Sequence, residues 1–125
     1  MPFDITAERT FSAAHQIRLY DGSLEPPHAH SWRVRLTVSA PALDSIGLVM
    51  DFHKLERLLD AVLAPCHDRS LNDLPPFAST NPSAENLALH IATSLTLPPG
   101  ITLASVEVWE TPTNSAIYRP SPLTP

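Results

Sequence analysis

The decisive pattern in this chain is the alternation in His28-Ala29-His30-Ser31-Trp32-Arg33-Val34-Arg35-Leu36-Thr37-Val38-Ser39. From Trp32 onward the even positions are apolar, while the odd positions carry arginine, threonine or serine. A period of two places successive side chains on opposite faces of a β-strand, so one face of this strand is predicted to be buried. His28 and His30 extend the inward apolar stripe. The stretch therefore predicts a half-buried strand that carries a pair of inward-facing histidines.

A second alternating segment precedes this strand and ends in a third histidine. Its odd positions form the inward face: Phe3, Ile5, Ala7, Arg9, Phe11, Ala13 and His15. The loop at 16–27 is rich in turn-forming residues, so the two segments are predicted to pair as an antiparallel hairpin. All three histidines then lie at the same end of one face. A His-x-His pattern alone is more often an exposed polar pair, but three neutral imidazoles that converge form an open zinc site with one position left for water or substrate.

Two helices are predicted after the hairpin. The first is capped by Asp51 and ended by Pro65. Its apolar positions recur at helical spacing: Phe52, Leu55, Leu58, Leu59, Val62 and Leu63. A polar loop at 66–73 follows. The second helix is predicted to begin at Asn81-Pro82, with the asparagine as its cap, and to end before Pro98.

Two strands are predicted to complete the fold. The first spans about 101–111, with Val106, Val108 and Glu110 on one face and a slip of phase near Ala104. The second is short, at about 115–119. The order ββααββ predicts an α+β fold in which a four-stranded antiparallel sheet carries two helices on one face. Edge-to-edge assembly of subunits into a larger barrel would cover the exposed sheet edges.

Composition limits the functional classes. The 125 residues suit a single domain at 1–120, followed by a C-terminal tail at 121–125. The net charge of −5 argues against a nucleic-acid partner, and we expect no membrane segment. Cys66 is the only cysteine, which suits a reducing compartment, and no leader pattern is recognised, so a cytoplasmic protein is expected.

Six short motifs occur in the order found in the 6-pyruvoyl-tetrahydropterin synthase and 6-carboxytetrahydropterin synthase family, and together they resemble it over nearly the whole chain. They are Phe11-Ser12-Ala13-Ala14-His15, His28-Ala29-His30, Val49-Met50-Asp51-Phe52, Leu71-Asn72, Asn81-Pro82-Ser83-Ala84-Glu85-Asn86 and Val106-Glu107-Val108-Trp109-Glu110-Thr111. The resemblance implies the tunnelling fold (T-fold) and a homohexamer of two trimeric barrels with active sites between subunits. It also implies zinc on His15, His28 and His30.

The same resemblance implies a small-molecule pterin as substrate, with Glu110 as its anchor. A carboxylate accepts two parallel N–H bonds from the 2-amino-4-oxo edge of a pterin. Thr111 and Glu85 are the other predicted substrate-binding residues. For Glu85 the alternative is a solvated residue in the first turn of a helix, where the helix dipole favours a carboxylate.

Departures from the family pattern bear on the reaction. Leu24 stands where the synthases carry a catalytic cysteine, and His67-Asp68 reverses the order of their Asp-His pair, although both remain predicted catalytic residues. Glu25 lies three residues before His28, which resembles the branch in which glutamate replaces the cysteine and dihydroneopterin triphosphate is cleaved to 6-hydroxymethyl-dihydropterin for folate synthesis. Such a cleavage needs a base for a side-chain hydroxyl, and Glu25 is the predicted base.

Three functions are therefore compatible with the sequence. The first is a zinc-dependent pterin lyase that acts through Glu25. The second is a pterin-binding homologue without synthase activity, and the third is a 6-carboxytetrahydropterin synthase whose base has moved to Cys66 or Glu25. A Cys66-His67-Asp68 triad is a weaker interpretation, because adjacent loop residues rarely face one another, and a lone cysteine after an apolar helix usually fills the core. His53 and His90 are expected to be ordinary helix residues.

Overall fold

Five strands and two α-helices build the fold of residues 2–120. The computed structural model describes residues 2–120, and the predicted tail at 121–125 lies outside them. The elements are β1 (Phe3–His15), β2 (His28–Ala40), α1 (Phe52–Leu63), β3 (Arg69–Ser70), α2 (Ala84–Ser94), β4 (Thr102–Thr111) and β5 (Asn114–Tyr118). The predicted α+β class and the two long hairpin strands are confirmed.

The sheet has the strand order β3-β1-β2-β4-β5. β1 and β2 pair antiparallel without interruption from Phe3 opposite Ala40 to His15 opposite His28. The slip of phase predicted near Ala104 is a bulge, since Thr37 pairs with Ser105 while Val38 pairs with Leu103. The register of the hairpin brings the histidine-bearing ends of β1 and β2 side by side.

β3 corrects the prediction of a four-stranded, wholly antiparallel sheet. Arg69 and Ser70 pair in parallel with Ala13 and Ala14 of β1, within the segment predicted as a loop. Asp68 takes a left-handed conformation with φ of 57°, and its N–H donates to the carbonyl of Ser12 at 2.7 Å. A two-residue strand is too short to show periodicity, so only the tertiary hydrogen bonds define it.

The hydrophobic core lies between the sheet and the two helices. Its members from α1 and α2 include Leu55, Leu59, Leu63, Leu87, Ala88 and Ile91, and those from the sheet include Phe11, Trp32, Val34, Leu36, Val106 and Val108. These residues form one cluster, so both helices cover the same face. No helix within residues 2–120 is long and apolar enough to cross a membrane.

The ends of the helices agree with the sequence only in part. Asp51 caps α1 as predicted, accepting a hydrogen bond from the N–H of His53 at 2.9 Å. Phe52, predicted on the buried stripe, is instead 57% exposed. The prediction that Asn81 caps the second helix is wrong, because Ser83 accepts the N–H of Asn86 at 3.1 Å and α2 begins at Ala84.

Candidate functional site

The three predicted histidines converge at one end of the sheet. His15 lies directly opposite His28, and His30 follows two residues later on the same face of β2. One ring nitrogen from each of the three residues can be chosen so that all lie within 4.8 Å of one another. Strand parity and hairpin register produce this convergence, so the geometric part of the metal prediction is confirmed.

His15 is held as a metal ligand would need to be. Its ring is 1% exposed, and Nδ1 lies 2.8 Å from the carbonyl oxygen of Pro82. A carbonyl only accepts, so Nδ1 carries the proton and donates it, which leaves a lone pair on Nε2 in the neutral ring. That Nε2 is buried and has no hydrogen-bond partner among residues 2–120. A carbonyl-oriented imidazole with a free lone pair fits a metal, and the three histidines therefore fit the zinc ion that was predicted.

Trp32 forms an apolar base beneath the histidines. Its ring is fully buried, and those of His15 and His30 stand edge-on to it at centroid distances of 5.0 and 5.5 Å. Its Nε1–H donates to the carbonyl of Ala13 at 3.1 Å, which fixes the indole. Burial lowers the pKa of His30, and the opposing effect of the Glu110 carboxylate is smaller. A lowered pKa favours the neutral imidazole, which is the form that binds metals.

Glu25 lies at the edge of this cluster. Its Oε1 is 2.7 Å from Nε2 of His28 and accepts the N–H of Ile17 at 2.9 Å. These hydrogen bonds, that to His28 first, lower the pKa of Glu25, so the carboxylate is ionised at neutral pH. An ionised carboxylate held beside a histidine cluster can accept a proton from a bound hydroxyl group.

Two asparagine side chains hold the loop that carries Glu25. The amide of Asn72 accepts the N–H of Gln16 at 2.8 Å and donates to its carbonyl at 2.9 Å. The amide of Asn81 likewise accepts the N–H of Arg18 at 2.8 Å and donates to its carbonyl at 3.1 Å. Sequence reasoning noted both asparagines within motifs but did not predict this role. Nothing local distinguishes such an amide from a capping residue, because its backbone partner lies more than 50 residues away.

Glu110 faces the histidines from β4. Its Oε1 lies 3.5 Å from Nε2 of His15, and its Oε2 lies 3.8 Å from Nε2 of His30. The side chain is 32% exposed and lines two cavities. The larger, of about 560 Å³, also contains Thr111 and His30, and the smaller, of about 230 Å³, contains Glu85. All three predicted substrate-binding residues therefore line cavities that meet at Glu110.

The second predicted catalytic group lies elsewhere on this chain. Nδ1 of His67 accepts the N–H of Ser12 at 3.3 Å, and its Nε2 is 3.2 Å from Asp68. Both side chains are largely exposed, and neither belongs to the histidine cluster. Cys66 is fully buried in the core, and this burial raises the pKa of its thiol. The three residues do not form a triad, because Cys66 is sealed from the surface on which the other two lie.

Several known proteins are similar to this chain. A sequence model of the family described as 6-pyruvoyl tetrahydropterin synthase matches residues 4–121. A 6-carboxy-5,6,7,8-tetrahydropterin synthase of Synechocystis is 35% identical over 126 residues, which cover 97% of this chain and 96% of that protein. The dihydroneopterin monophosphate aldolase of Pyrococcus furiosus is 31% identical over 103 residues, which cover 81% and 83%.

The fold agrees with a solved structure as well. The 6-pyruvoyl tetrahydropterin synthase of Caenorhabditis elegans matches with a TM-score of 0.79 and 25% identity, over 94% of this chain and 96% of that one. The similarity therefore extends over nearly the whole length of both chains.

Proposed function

Because this chain belongs to the 6-pyruvoyl tetrahydropterin synthase family and has its tunnelling fold, we propose that it is a zinc-dependent lyase that cleaves the side chain of a dihydroneopterin-type pterin. The observation that carries the proposal is the placement of Glu25, whose Oε1 lies 2.7 Å from His28 in the cluster of three histidines. The similarity to the Pyrococcus furiosus aldolase supports the choice of a dihydroneopterin.

The proposed substrate is held at both ends. Glu110 accepts the two N–H groups of the pterin ring, with Thr111 and Glu85 at the neighbouring cavity walls. His15, His28 and His30 would hold the zinc ion. When bound, zinc supplies a Lewis acid for a side-chain oxygen.

The proposed reaction is a retro-aldol cleavage in which Glu25 moves one proton. Glu25 takes the proton of the 2′-hydroxyl, and the bond between C1′ and C2′ breaks. The electron pair of that bond passes into the C=N bond of the dihydropterin ring, while C2′ becomes an aldehyde. Protonated Glu25 then returns the proton to C1′, which yields 6-hydroxymethyl-dihydropterin with no net change in protons.

A second candidate function is 6-carboxytetrahydropterin synthesis with Glu25 as a relocated base. The 35% identity to the Synechocystis synthase favours this alternative. Cys66, the other base considered from the sequence, is buried in the core and does not line the cavities at Glu110. If the synthase activity is present, Glu25 is the better base.

Assembly into a homohexamer with active sites between subunits belongs to the same proposal. Its support is the sheet edge at β1, where, within residues 2–120, β3 pairs with Ala13 and Ala14 alone. Light scattering at several protein concentrations measures the oligomeric state, and a monomer at every concentration would contradict the hexamer.

Product identification tests the activity. Zinc-loaded protein is incubated with dihydroneopterin, its monophosphate and its triphosphate, and with 6-pyruvoyl-tetrahydropterin, and products are identified by mass spectrometry. We expect 6-hydroxymethyl-dihydropterin and a two-carbon aldehyde. A 6-carboxy product would favour the second candidate. Tight pterin binding without turnover would leave a binding protein and overturn both enzymatic proposals.

A further inference from the structure

The geometry at His15 contains an electrostatic conflict. Because Nδ1 donates to the carbonyl of Pro82, the neutral ring presents a lone pair at Nε2. The nearest charged group that faces this lone pair is the carboxylate of Glu110, at 3.5 Å. The buried lone pair and the partly exposed carboxylate are both acceptors and repel each other, and Nε2 has no donor among residues 2–120. A cation between the two groups resolves the conflict.

The two distances from Glu110 fit a shared cation better than a direct hydrogen bond, whereas Nδ1 of His28 and Nε2 of His30, 2.6 Å apart, are in direct hydrogen-bond contact. Two ligand atoms of a tetrahedral zinc, each about 2.1 Å from the metal, lie about 3.4 Å apart. The separation of Glu110 from His15 is 3.5 Å, and that from His30 is 3.8 Å. The two contacts use different oxygens, so the carboxylate spans the gap between the two imidazoles.

Glu110 also has access to the substrate cavities. It lines both the cavity of about 560 Å³ and the cavity of about 230 Å³, so one carboxylate can face the histidines or a bound ring. The carboxylate can change from one partner to the other by rotation about the side-chain bonds of Glu110. The carboxylate cannot bind the metal and the ring at full strength together, because an oxygen that coordinates the metal is a weaker acceptor for the N–H groups of the ring.

We propose that Glu110 is the fourth metal ligand of the protein without substrate, and that a pterin ring draws this carboxylate away from the metal. Recognition of the ring would thereby open the fourth position for a side-chain oxygen. This inference rests on the proposed function, because it assumes both the metal and the pterin, but it concerns a resting state that the reaction scheme above does not require.

Metal binding tests the first half of the proposal without any turnover. The dissociation constants of Zn²⁺ and Co²⁺ are measured by competition with a chromophoric chelator for wild-type protein and for Glu110→Gln. We expect Glu110→Gln to weaken binding at least about tenfold, the lower range for a change near a metal. Glu107→Gln is the matched control, because it removes the same charge from the opposite face of β4, where the Glu107 carboxylate accepts a hydrogen bond from the Ser115 hydroxyl at 2.8 Å. The control should bind metal like wild type.

Cobalt spectra test the second half and do not depend on a variant. Unsubstituted pterin carries the ring edge for Glu110 but no side-chain hydroxyl that could reach the metal. We expect it to change the visible d–d bands of the Co²⁺-loaded wild-type protein and to leave those of Co²⁺-loaded Glu110→Gln unchanged.

Each outcome either supports or overturns the proposal that Glu110 is a metal ligand. Equal metal affinity in wild type and Glu110→Gln, or a wild-type spectrum that unsubstituted pterin does not change while calorimetry shows it bound, would overturn the shared-carboxylate proposal. The alternative is then a proton on Nε2 of His15. A weakened metal site in a protein that turns over no pterin would support this proposal while the lyase function fails, so the two failures are distinguishable.

Discussion

The histidine cluster and the loop at 66–68 contain the same kinds of reactive residue, but the fold arranges them in opposite ways. His15, His28 and His30 are placed by paired strands and point to one spot, with Glu25 and Glu110 at its edge. Cys66, His67 and Asp68 are adjacent in sequence, yet one enters the core while the other two are 55% and 74% exposed. Strand parity is a stronger predictor of a shared site than adjacency in a loop, because a strand fixes the direction of every side chain and a turn does not.

The largest expected effect is on metal content. His15→Ala should abolish zinc binding, because it removes the buried ligand that the Pro82 carbonyl orients, whereas His67→Ala should retain it. Elemental analysis after dialysis measures both. His28→Asn, at a more exposed position, serves if His15→Ala does not fold. Zinc retained by both cluster variants, or lost equally from His67→Ala, would contradict the assignment of the metal site to the histidine cluster and not to the loop at 66–68.

Turnover should distinguish the two regions next. Glu25→Ala should reduce the rate of pterin cleavage by about 10²–10⁴, the usual contribution of a positioned base. We expect a smaller loss of turnover for His67→Ala. Within a single subunit its ring is exposed, lies outside the histidine cluster and accepts a hydrogen bond from the backbone N–H of Ser12. Rates are measured on zinc-loaded protein at saturating substrate. A loss in His67→Ala as large as that in Glu25→Ala would instead support the predicted catalytic role of His67, supplied to a neighbouring subunit.

The reactivity of Cys66 gives a smaller, purely chemical contrast within the loop. Burial raises the pKa of the thiol, which lowers the fraction of reactive thiolate at neutral pH. Labelling by iodoacetamide should be at least about 10³-fold slower in the native protein than in urea, since it requires opening of the core. Mass spectrometry follows the modification. Rapid native labelling would mean that Cys66 is accessible and again a candidate base.

The smallest effect concerns His90, a histidine that belongs to neither region. Burial lowers its pKa, and its ring packs against Phe77 with centroids 5.7 Å apart. The unfolded chain then binds more protons than the folded chain between the lowered pKa and about 6.5, so stability is full above that range and falls as the pH drops through it. His90→Gln should flatten this part of the curve of unfolding free energy against pH. Parallel wild-type and variant curves between pH 5 and 7 would show that burial of His90 does not cause the loss of stability at low pH.

The sequence predicted the main elements because their patterns are long. Thirteen-residue strands show the period of two clearly, and α1 shows the helical period with its cap at Asp51. The prediction failed at β3, which has two residues, and at Asn81, which does not cap α2. β3 exists only through its pairing with β1, and the side chain of Asn81 bonds the backbone of Arg18, 63 residues away, while Ser83 caps α2.

The sequence by itself determined which side chains share a face of a strand, and therefore that His15, His28 and His30 belong together. Only the tertiary structure decided how each is held, since the carbonyl of Pro82 that orients His15 comes from the segment before α2, 67 residues away along the chain. It also placed the Glu110 carboxylate against the free lone pair of His15, a juxtaposition of β1 and β4 that no local pattern contains. Local periodicity sets the direction of a side chain, but a site depends on what other segments bring to meet it.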